Sequence, residues 1–144
     1  MKRVRVLLAI KQDDLRDNLR RILSAKKTGI ALVGEATNEL EVMELVSQAS
    51  PNVLVLDLQL KDQGGLELIQ KIKALNPATR ILILSEEVKK EEILDLVETG
   101  ISGYLTKNEA PELLVFAIHT CMKEVLWLSP IAQAILLDNL SGRS

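Results

Sequence analysis

The sequence predicts an α/β fold, a doubly wound five-stranded parallel sheet in the order 2-1-3-4-5 with helices on both faces. Three observations carry that prediction. Five short apolar runs each give way to a segment with helical apolar spacing, so strand and helix alternate along the chain. The central run, Val53–Leu56, has no polar face, as a strand buried on both sides requires. No repeat, low-complexity tract or obvious linker interrupts the 144 residues, a length suited to one domain with a proper core.

The elements follow in order. Val4–Ala9 is the first strand. Asp13 or Asp14 caps a helix whose Leu15, Leu19, Ile22 and Leu23 fall on one face, and Thr28-Gly29 ends it. Ile30–Gly34 is the second strand, and Asn38 caps a helix carrying Leu40, Met43, Leu45 and Val46. Pro51 closes that unit because it cannot continue a helix. The third strand stops at Asp57; a loop with Gly64-Gly65 and a helix with Leu66, Leu68, Ile69 and Ile72 follow, ending near Leu75-Asn76-Pro77. Arg80–Leu84 is the fourth strand, halting at Ser85. A helix over roughly Lys89–Thr99 ends at Gly100 in the usual C′ position. Ser102–Leu105 is a short fifth strand, and Thr106-Lys107 lead into a helix from Pro111 to about Glu124. In the tail, Ser129 and Pro130 start a last helix whose Ile131, Ile135, Leu136, Leu137 and Leu140 form an apolar stripe. The stripe either packs on its own domain or meets a second copy or a partner.

Composition narrows the function. With 18 basic and 20 acidic residues the net charge is −2, which gives no global attraction to nucleic acid or to an anionic membrane. No apolar run approaches the roughly 18–20 residues that span a bilayer. The basic, apolar start is followed by Lys11, Asp13 and Asp14 where a signal peptide would carry small residues, so it reads as a strand. Cys121 is the only cysteine and His119 the only histidine, which excludes an internal disulfide, a cysteine-based zinc site and a histidine pair on a metal. His119 lies in an apolar helical pattern and reads as packing or surface. The expected setting is the cytoplasm, with no membrane partner.

Asp57 is the candidate around which a site forms. A carboxylate at the carboxyl end of a buried strand stands where open α/β sheets bind ligands, although aspartate there also suits a turn or a cap. In the order 2-1-3-4-5, Ile10-Lys11, Asp57, Ser85 and Lys107 all come to the same crevice. A carboxylate, a hydroxyl and an ammonium converging on one point suit an anion such as a phosphoryl group.

The segments LVLDLQLKDQGGLELI around Asp57, ILILSEE around Ser85 and GISGYLTKNEAPELL around Lys107 make the chain similar to the receiver domain of bacterial two-component response regulators. With Trp127-Leu128-Ser129-Pro130 beyond, it most resembles the branch that carries LuxR-type DNA-binding domains. The resemblance implies a flavodoxin-like, CheY-like three-layer fold, with a receiver over 1–125. A linker or helix over 126–144 would stand where a helix-turn-helix domain normally follows. It further implies Asp57 as phosphoacceptor, Ser85 as switch hydroxyl, Lys107 as phosphate-binding lysine and Tyr104 as the rotating aromatic. The implied partners are a histidine kinase or another signalling protein and, in a homodimer, a second copy, with DNA reached only through a domain absent from these residues.

Two departures bear on chemistry. The family's acidic pair after the first strand, which holds Mg²⁺, is here Ile10-Lys11; Asp13-Asp14 fit only if the alignment slips by three residues, which spoils the first helix. Lys61 stands where the family usually has proline, and Asn108 where proline often follows the lysine. Mg²⁺ needs near-octahedral oxygen ligation, commonly with one or two carboxylates, and Lys11 would oppose it. No cofactor is therefore expected, Mg²⁺ being bound only if the site is still competent, and Lys11 is expected to pair with Asp57, directly or through one water. The resulting expectation is a degenerate receiver that works through protein contacts. The alternative is a conventional receiver phosphorylated on Asp57 by a histidine kinase and controlling transcription. An enzyme of the haloacid-dehalogenase type fits poorly, because Gln59 replaces its second aspartate and no glycine-rich phosphate loop is present.

Overall fold

The computed structural model describes residues 2–60 and 65–140. Lys61 and Gly64, singled out above, lie outside the described residues, as does the side chain of Leu140. The strands are β1 (Val4–Ala9), β2 (Ile30–Ala36), β3 (Val53–Asp57), β4 (Arg80–Ser85), β5 (Gly103–Thr106) and β6 (Trp127–Leu128). The helices are α1 (Asp13–Leu23), α2 (Glu39–Ala49), α3 (Leu66–Leu75), α4 (Lys90–Thr99), α5 (Ala110–Cys121) and α6 (Pro130–Leu140). A single 3₁₀ turn, Leu58–Leu60, leaves β3.

The sheet runs β2-β1-β3-β4-β5-β6, with every neighbouring pair parallel. The predicted order holds and gains a sixth strand, two residues long, that pairs Gly103 with Trp127 and Tyr104 with Leu128. So short a strand leaves no alternation to read. Successive strand residues face opposite sides, and the sheet accordingly separates two cores. One lies under α1 and α5 and joins Val6, Leu8, Val53, Val55, Leu82 and Leu84 to Leu19, Leu23, Leu114 and Ile118. The other lies under α2, α3, α4 and α6 and joins Leu7, Leu54, Leu56, Ile81 and Ile83 to Val46, Ile69, Ile93, Tyr104 and Ala132. Burying each such aliphatic chain is worth about 1.5–3 kcal/mol.

The helix ends show local causes. Asn38 accepts from Glu41 N at 2.9 Å, as expected of a cap, and Gly100 closes α4 at φ +97. Asp13 and Asp14 do not cap α1; Gln12 holds the N-cap position and both aspartates fall in the first turn, where the helix dipole favours them. His119 tethers the α1–β2 loop, its Nε2 meeting the Thr28 carbonyl at 2.6 Å.

Candidate functional site at the carboxyl edge of the sheet

β1, β3, β4 and β5 deliver their last residues to one crevice. Asp57 is 1% exposed, Ser85 2% and Lys107 8%, and Thr106 beside Lys107 is buried as well. Lys107 Nζ lies 3.1 Å from Asp57 Oδ1. It also donates to Gln59 Oε1 at 2.9 Å and Gln12 Oε1 at 3.3 Å, with Glu86 Oε2 at 3.4 Å on the solvent side. A buried ammonium is tolerable only when its N–H groups are taken up in this way.

Asp57 serves two roles at once. Its Oδ1 accepts from Gln59 N at 2.9 Å, the Asx turn that starts the 3₁₀ turn, while pairing with Lys107. Oδ2 is buried with no hydrogen-bond partner. The turn reading and the site reading of this aspartate are therefore both true. Neither oxygen is given to Lys11, so the direct Lys11–Asp57 ion pair expected from the sequence is not formed. Ile10 continues the inward alternation of β1 and is fully buried, which turns Lys11 to the surface and brings Gln12 back toward Lys107. Arg16 fixes this turn, donating to the Ile10 carbonyl at 3.0 Å and pairing with Asp13 at 2.6 Å.

Ser85 reaches the crevice, but its hydroxyl donates to the Glu87 carbonyl at 2.6 Å instead of turning to Asp57. Tyr104 is 0% exposed, and its hydroxyl has no hydrogen-bond partner. Burial pushes the phenol up from its ordinary pKa, the neighbouring Ser85 hydroxyl, committed to Glu87, pulls the other way without completing a hydrogen bond to it, and the Glu92 and Glu109 carboxylates add to the rise.

Where a metal would bind in such a crevice, β1 offers an aliphatic side chain and an exposed lysine. Asp13, whose side chain is 83% exposed, is paired with Arg16. Among the described residues no group of three or more histidine, cysteine, aspartate or glutamate side chains could hold a metal ion. Gln12 and Gln59, the amides that position Lys107, were not picked out as site residues. Gln59 was within reach, two residues past Asp57 on a tight turn; Gln12 lies 95 residues from Lys107, and only the folded sheet joins them.

The family described as response regulator receiver domain matches residues 6–119. The nitrate/nitrite response regulator protein NarL of Escherichia coli (strain K12) is 29% identical over 135 residues, covering 94% of this chain and 62% of NarL. The DNA-binding transcriptional activator DevR/DosR of Mycobacterium tuberculosis is 36% identical over 139 residues, covering 96% of this chain and 64% of the activator. The chain thus spans just under two thirds of the length of these relatives. Among solved structures, a LuxR-family two-component response regulator from Aurantimonas superposes with a TM-score of 0.88 at 29% identity, covering 96% of this chain and 99% of that one.

Proposed function

Because the chain belongs to the response regulator receiver domain family, matched over residues 6–119, we propose that it is a degenerate receiver working by protein contact, with Asp57 no longer served by a metal. Receiver domains are signalling modules, generally not enzymes, that interact with histidine kinases and bind Mg²⁺ when competent. The observation that carries the proposal is the end of β1: Ile10 is buried in the core and Lys11 is exposed, so the end of β1 brings no carboxylate to Asp57 toward an oxygen shell. Lys107, steadied by Gln12 and Gln59, is the counter-ion of the aspartate instead. In this reading Asp57 keeps the phosphoacceptor position without its chemistry, and Ser85, Lys107 and Tyr104 keep the shape of the switch.

A second reading keeps a specific observation on its side. Asp57 Oδ2 is buried without a hydrogen-bond partner, as an oxygen reserved for an incoming group would be, and the Lys107 pair is compatible with a conventional phosphorylated site. Calorimetric titration with Mg²⁺ separates the two. The degenerate reading expects no saturable binding to the wild type and its appearance in the double variant Ile10→Asp, Lys11→Asp. Mg²⁺ binding by the unaltered chain would sink it.

The proposal extends to partners. Residues 1–125 act as the receiver and 126–144 as the link to whatever follows, and DNA is engaged only through a further domain, as the names of the relatives suggest. No helix among the described residues is long and apolar enough to cross a membrane, and we place the protein in the cytoplasm. Self-association, if it occurs, is a closed symmetric dimer through the last helices or the α4–α5 side. Phe116 and Leu137, both 60% exposed, supply apolar surface there.

A further inference from the structure

We propose that α6 is a latch over the α4–β5 side of the sheet, fastened by Glu109 and Gln133, and that Tyr104 leaves its buried position only when α6 lifts. The inference goes beyond the proposed function and holds whether or not Asp57 takes a phosphoryl group.

Tyr104 sits in the apolar cluster that α4 and α6 complete, with Ala132 among its buried members and Leu128 and Leu136 packed against it. The carbonyl of Tyr104 itself accepts from Ser129 N at 3.0 Å, so the start of α6 is strung to the residue it covers. The Glu109 carboxylate bridges two elements. Its Oε1 accepts from Thr106 N and Oγ1, each at 3.1 Å, and its Oε2 from Ile131 N at 3.2 Å. One side chain therefore ties the end of β5 to the first turn of α6, where an acid also meets the helix dipole. Gln133 adds a second tie, Nε2 donating to the Leu128 carbonyl at 2.7 Å on the outer edge of β6. Beneath these ties, the Tyr104 hydroxyl is shut away from water with no hydrogen-bond partner. A buried orphan hydroxyl favours exit, and α6 opposes it; the two positions of Tyr104 and of α6 form one two-state element.

The chain has one tyrosine, so nitration by tetranitromethane reports Tyr104 alone. Hydrogen exchange followed by mass spectrometry reports the amides of α6. Both are measured on the full chain, the wild type and the variants Glu109→Ala and Gln133→Ala. The latch predicts that nitration and α6 exchange rise together, roughly tenfold for Glu109→Ala, given what a hydrogen bond to a charged group is worth, and less for Gln133→Ala. Amides of β1 and β3 stay protected. If Glu109→Ala loosens β1 and β3 as well, Gln133→Ala decides alone. Faster α6 exchange with unchanged nitration would overturn the proposal, as would wild-type behaviour of Gln133→Ala in both measurements.

Discussion

Lys107 illustrates how much of the site one residue settles. Its ammonium is buried against a buried carboxylate, and truncating one member of such a pair strands the other. Lys107→Met is expected to lower the unfolding free energy by about 3–5 kcal/mol in urea denaturation. Adding Asp57→Asn should recover most of the loss; a double variant as unstable as the single one would show that packing, not charge, sets the cost. At this scale Asp57, Ser85 and Lys107 were legible because each ends an apolar strand run. The direct Lys11–Asp57 pair fails to form for a physical reason: position after a strand fixes nearness to the crevice, whereas side-chain alternation fixes direction, and the buried Ile10 spends the inward turn.

Among the elements, α2 shows local rules at full strength. Asn38 and Glu41 cap one another, Glu41 N donating to Asn38 Oδ1, while Glu41 Oε1 takes Thr37 N and Oγ1 and Asn38 Nδ2. Asn38→Ala should cost about 1 kcal/mol by chemical denaturation. The hydrogen bonds from Thr37 hold the Glu41 carboxyl below its ordinary pKa. That contribution is present above the ordinary glutamate value and is lost as pH falls toward the lowered one. Stability measured against pH should drop there in the wild type, and less in Glu41→Gln. At β5, a Cβ on Gly103 would come within 2.6 Å of Leu82 Cδ1 and 2.9 Å of Cys121 Sγ. Gly103→Ala is accordingly expected to cost about 1–3 kcal/mol through overpacking. Helices of ten or more residues were readable from their spacing; β6 was not, since two residues in a tail carry no period and their strand identity comes from pairing with β5.

For the molecule as a whole, five alternating βα units with right-handed crossovers leave few topologies, which is why the sheet order could be read before the structure. Packing of the tail could not, because its apolar stripe fitted either its own domain or a partner; α6 in fact completes the layer begun by α2, α3 and α4. The central proposal is that Asp57 of this receiver fold is no longer served by a metal. Incubating the intact chain with acetyl phosphate and Mg²⁺ and weighing it by mass spectrometry tests this most directly. The account predicts an unchanged mass for the wild type. A metal-dependent gain of one phosphoryl group, absent from Asp57→Asn, would contradict it and make this chain a conventional phosphorylated receiver.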